Sequence, residues 1–192
     1  MLAKRKLFIV VAFAAVGVSA ALVFYFNPSL LTFGGADRTV YSHPAFGVSF
    51  EYPAHWAPDP QGGAFDEIPL RFVGGDGYLG VDALAADSET SFEDLLNQIV
   101  IQNQNTPYGT RPVIKSTEID GLEARVVLPS EDQPEEANNE AIFIARYPGQ
   151  AQIGDDLFRF FVLYAHKDHL EDILRTLRFT FTEVEPEEAS SE

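Results

Sequence analysis

Residues 46–52, FGVSFEY, place Phe46, Val48, Phe50 and Tyr52 in alternation with Gly47, Ser49 and Glu51. That period of two predicts a strand with one face in a core, ended by Pro53. Further strands are predicted at 68–73 (IPLRFV), 78–85 (YLGVDALA), 112–119 (PVIKSTEI), 122–128 (LEARVVL), 141–147 (AIFIARY) and 157–165 (LFRFFVLYA). The last is apolar on both faces apart from Arg159, as a central strand is. Asp120-Gly121 separates two of these runs by two residues that tolerate positive φ, which predicts a hairpin.

Two segments switch to helical spacing. After Ser91, FEDLLNQIVIQNQ puts Phe92, Leu95, Leu96, Ile99 and Val100 on one face, and Asp94 stands at capping-box distance from Ser91. Asp168 and Glu171 have the same cap spacing, followed by Leu170, Ile173, Leu174 and Leu177 at i, i+3, i+4, i+7. Both apolar stripes need a sheet to cover.

The longest apolar run is at the N-terminus. Lys4, Arg5 and Lys6 precede residues 7–26, LFIVVAFAAVGVSAALVFYF, which carry no charge. At 1.5 Å per residue such a run spans roughly 30 Å, the hydrocarbon thickness of a bilayer. The basic flank places the N-terminus in the cytoplasm and the rest of the chain outside, with Tyr25 at interfacial depth. Small residues at 18–21 also offer cleavage spacing for a signal peptide, but LVFYF continues the apolar run beyond a usual signal core. The expected organisation is a basic flank (1–6), a transmembrane anchor (7–26), a linker with Pro28 and Gly34-Gly35 (27–38), an α+β domain (39–182) and an acidic tail (183–192).

Charge then narrows the partners. The chain has 29 acidic and 13 basic residues, net −16, and three of the basic ones lie before the anchor. A surface this acidic repels phosphate backbones, so nucleic acid is not an expected partner. Cysteine is absent, which removes disulfides, thiolate zinc sites and a lipidated cysteine. Stability must come from packing, for which 16 Phe and 7 Tyr supply the area.

Three stretches together resemble the PsbP-like superfamily, whose fold is shared with the small Ran-binding proteins of nuclear transport. They are FGVSFEYPAHW as strand, proline and tryptophan, IDGLEARVV as a glycine-turn hairpin, and HLEDILRTLRFT as closing helix and strand. The resemblance implies an α+β fold, an α-β-α sandwich with a central antiparallel sheet of about six strands and two main helices. Members similar to this chain serve as extrinsic photosystem subunits, small-GTPase partners or bacterial envelope proteins. The anchor and the lack of a transit peptide depart from the photosynthetic type and fit a bacterial or archaeal surface protein.

Chemistry-bearing patterns are sparse. GDGYLG at 75–80 satisfies G-x-G-x-x-G, but YLGVDALA continues as strand where a dinucleotide fold needs a helix. A turn using Gly74, Gly75 and Gly77 for positive φ is expected instead. His166 and His169 form H-x-x-H beside Asp168, a weak metal candidate without a third ligand. His55 and Trp56 are candidates for ligand or partner contact, with Trp56 expected as an apolar lid whose indole needs an acceptor. The acidic stretches 131–140 and 183–192 lack a calcium-loop pattern and read as a solvated loop and a tail. No G-x-S-x-G or other nucleophile pattern occurs, so neither catalysis nor a cofactor is expected. The expected function is a membrane-anchored extracytoplasmic module that docks an envelope protein or small ligand by a sheet edge or loop patch. The alternative is an ion-linked (Ca, Mn or Zn) accessory domain.

Overall fold

Phe143, Ala145, Phe161, Leu163 and Ala165 face one core, while Ile142, Ile144, Phe160 and Val162 face another. Side chains alternate across a strand, so this division places apolar layers on both faces of one sheet. The computed structural model describes residues 37–85, 90–102, 108–134, 138–154 and 156–180, all within the unit Asp37–Glu192. The expected anchor 7–26 and tail 183–192 lie outside the described residues. Among the described residues no helix is long and apolar enough to cross a membrane.

The chain runs β1 (Arg38–His43), β2 (Val48–Pro53), β3 (Ala57–Pro58), β4 (Ala64–Phe65), β5 (Ile68–Pro69), β6 (Arg71–Gly74), β7 (Gly77–Leu84) and α1 (Phe92–Gln102). It continues with β8 (Val113–Ile119), β9 (Leu122–Leu128), β10 (Glu140–Ile153), β11 (Asp156–His166), α2 (Lys167–Thr176) and β12 (Arg178–Phe179). A seven-stranded antiparallel sheet has the order β3-β6-β7-β11-β10-β9-β8. The long strands β10 and β11 sit at its middle, and Phe160, Phe161, Val162 and Leu163 of β11 are fully buried, as their two-sided apolar pattern predicts.

The large antiparallel sheet, with seven strands where about six were expected, and the two helices agree with the expected α+β class. The strand read from FGVSFEY is not in the large sheet: β2 pairs with β1 and β12 in a separate three-stranded sheet. Its inward residues Val48 and Phe50 pack over the large sheet beside Leu170, Ile173 and Leu177 from α2 and the loop after it. On the opposite face α1 covers the sheet with Phe92, Leu95 and Leu96. β1 was not predicted, because RTVYSH exposes Val40 and buries a histidine, so it lacks an apolar alternation.

Local signals set most element ends. The Ser91 hydroxyl accepts from the Asp94 amide at 3.1 Å, capping α1. Asp120 and Gly121 have φ of 51° and 77°, the left-handed turn expected between β8 and β9. The second helix corrects its predicted start: His166, not Asp168, is the N-cap, its Nδ1 accepting from the Asp168 amide. Asp168 instead lies in the first turn, where its charge favours the helix dipole.

Candidate functional site

Trp56 is placed by two local devices. Its amide bonds the Pro53 carbonyl at 3.0 Å, turning the chain after β2, and the following β3 pairs Ala57 with Val73 of β6. The indole therefore lies against the β6–β7 hairpin, where Gly74 pairs with Gly77. None of Gly74, Gly75 and Gly77 adopts a left-handed φ, which corrects the expected reason for these glycines. Space explains two of them. A Cβ on Gly74 would lie 2.1 Å from Trp56 Cδ1, and one on Gly77 would lie 2.9 Å from both Trp56 Cζ2 and His169 Cδ2.

Asp76, at the tip of this hairpin, collects the donors. Trp56 Nε1 donates to Asp76 Oδ1 at 2.7 Å, and His55 Nε2 donates to the same oxygen at 2.8 Å. His169 Nε2 donates to the Asp76 carbonyl at 3.1 Å, with its Trp56 ring contact edge-to-face at 4.9 Å. The His166 ring stands 5.9 Å from that of His169. Thus the structure brings together His55, Trp56, His166 and His169, the residues singled out in the sequence, around a carboxylate that was not.

Partial burial raises the Asp76 pKa, but the bonds from Trp56 and His55, its own amide and the His55 charge outweigh this and leave it below the usual carboxylate value. The His55 and Asp76 side chains are about half exposed, at 54% and 49%, whereas Trp56 is 3% exposed. Trp56 is thus the expected lid with its expected acceptor. The accessible groups of the site are His55 and Asp76, then His166 and His169.

A second carboxylate lies beneath this patch. Glu140 opens β10 opposite His166 of β11 and accepts from the Tyr78 hydroxyl at 3.1 Å and the Tyr108 hydroxyl at 3.3 Å. Burial raises its pKa above the usual value, and the two tyrosine bonds and Arg71 offset only part of that. The Tyr78 ring lies edge-to-face with His166 at 6.4 Å, and the Arg71 guanidinium lies over it at 5.8 Å. Glu140 was read as the end of a solvated acidic loop. That reading fails also for Gln133, which is buried, but holds for Asp132, which stays exposed while accepting from Ser130 and Thr110. The signal available for Glu140 was its position immediately before AIFIARY.

Among the described residues the imidazoles of the patch bond to Asp76 and to the Asp168 amide, and no serine, threonine or cysteine bonds to them. No group of three or more histidine, cysteine, aspartate or glutamate side chains is placed to hold a metal ion among the described residues.

No family model matches the chain, and no curated protein matches it. Among solved structures it is similar to the solution structure of cyanobacterial PsbP (CyanoP) from Synechocystis sp. PCC 6803, at 15% identity and a TM-score of 0.40, over 79% of this chain and 97% of that chain.

Proposed function

We propose that this chain is a non-catalytic docking module, held by residues 7–26 in a membrane with the folded unit outside, and that it binds an envelope protein through the patch around Asp76. One observation carries this reading: three distant segments of the chain converge to present three imidazoles and a half-exposed carboxylate on a rigid base. Trp56, locked between Gly74 and Asp76, fixes that base in one geometry. Such preorganisation favours binding, since little side-chain freedom is left to lose. The acidic surface favours a partner with a basic face.

The edge strand β8 offers a second docking mode, with Val113 and Ile114 exposed at 48% and 45%. The ion-linked alternative has less support, because among the described residues no three histidine, cysteine, aspartate or glutamate side chains are placed to hold one metal ion. A photo-crosslinking residue placed at 55, at 114 and at 152 in intact cells distinguishes the modes. Adducts from position 55 alone, lost on Asp76→Asn, support the patch. Adducts from 114 alone move the interface to β8, and equal or no adducts at all three positions reject specific docking.

A further inference from the structure

β4 and β5 form a two-stranded hairpin that joins neither larger sheet. Only two residue pairs hold it as a ladder, Ala64 with Pro69 and Phe65 with Ile68. Its turn residues Asp66 and Glu67 both have positive φ, 49° and 67°, a conformation that costs a non-glycine residue energy. The base is tied by the Leu70 amide to the Gly63 carbonyl at 3.1 Å, and the Val81 amide bonds Leu70 in turn. The hairpin is therefore weak by itself and kept closed by what lies under Phe65.

What lies there is His43. Its side chain is fully buried, and neither ring nitrogen makes a well-formed hydrogen bond among the described residues, the Phe65 backbone being the polar group that acts on the ring. The ring packs 5.8 Å from Phe65, 4.4 Å from Phe46 and 6.2 Å from Tyr41, whose hydroxyl is also buried without a partner among the described residues. Phe65 completes the enclosure against Phe46 and the Gly154 turn between β10 and β11. A neutral imidazole can sit in this aromatic box, whereas a charged one needs water or an anion.

We propose that the β4–β5 hairpin is an acid-released lid, with the buried His43 imidazole beneath Phe65 as its latch. The groups facing His43 are Tyr41 on its own strand, Phe46 from the turn before β2, and Phe65 and Asp66 from the hairpin. Burial lowers the His43 pKa, against the opposing pull of the Phe65 backbone and the Asp66 charge. A base whose folded pKa is lowered supports the closed state above the usual histidine value and withdraws that support as pH falls below it. Protonation is relieved at least expense by lifting Phe65, because the hairpin has the fewest ties to the rest of the fold. Opening would bare Phe65 and Phe46 as an apolar surface.

Hydrogen exchange of the full chain in detergent, at about pH 7.5 and about pH 5 with intrinsic rates corrected, tests the lid. Residues 59–70 are expected to lose protection at the lower pH while β10 and β11 keep theirs. His43→Leu is expected to hold residues 59–70 protected at both values, and Phe65→Ala to leave them unprotected at both. Unchanged protection in the wild type, simultaneous loss across the domain, the same loss in His43→Leu, or a wild-type pH response in Phe65→Ala would each overturn the proposal.

Discussion

The indole of Trp56 and the carboxylate of Asp76, 20 residues apart in the chain, meet in a hydrogen bond of 2.7 Å. The indole is buried, so removing its acceptor leaves a donor without water or partner. Asp76→Ala is expected to cost about 1–3 kcal/mol in urea unfolding. Trp56 is the chain's only tryptophan, so its emission reports the change directly. The pKa of Asp76 is lowered in the folded state, so its ionisation contributes stability above the usual carboxylate value. That contribution is lost as pH falls through the lowered pKa, and Asp76→Asn should flatten the acid limb of the stability profile.

Gly74 touches the Trp56 ring so closely that a methyl group there requires the ring to move. Gly74→Ala should cost about 1–3 kcal/mol, the usual range for overpacking. Gly75 has open space at its Cβ position and no left-handed φ, so Gly75→Ala should change stability by less than about 0.5 kcal/mol. Equal losses in the two variants would show that turn conformation, rather than close approach, selects these glycines.

Glu140 titrates in the opposite sense to Asp76. Its folded pKa is raised by burial, so the folded state gains from its protonated form below the usual carboxylate value. This gain is lost as pH rises through the raised pKa. Wild-type stability should therefore decline relative to Glu140→Gln across that window and run parallel to it elsewhere. Parallel curves at every pH would place the carboxylate in contact with water.

Asp120 serves two roles at once. It takes the left-handed position of the β8–β9 turn, and its carboxylate accepts the Phe179 amide of β12 at 3.0 Å. Asp120→Gly keeps the turn conformation and removes only the tie. It should cost about 0.5–1.5 kcal/mol and speed exchange of the Phe179 amide. An unaltered Phe179 amide would mean that β2 alone holds β12.

Much of the fold was legible because its signals are local. The strand at 122–128 was read with its observed bounds, and Ser91 and Asp120-Gly121 mark a cap and a turn that the structure contains. The start of α2 was misread by two residues because an imidazole capped the helix in place of the aspartate that the pattern favours. The site was legible only in part. His55, Trp56, His166 and His169 stood out by residue type, but Asp76 was hidden within a glycine pattern and Glu140 within an acidic run.

By itself the sequence determined the long strands from β7 to β11 and both helices, since side-chain period, caps and turn residues act over a few positions. It also determined that both faces of the middle of β11 would be buried, because both faces of 157–165 are apolar apart from Arg159. Only the tertiary structure decided that β2 leaves the large sheet, that Gly74 makes room for Trp56, and that Asp76 collects donors from His55, Trp56 and His169. These outcomes depend on which distant surfaces meet, and contacts between residues 20 to more than 90 positions apart leave no periodic trace in the chain.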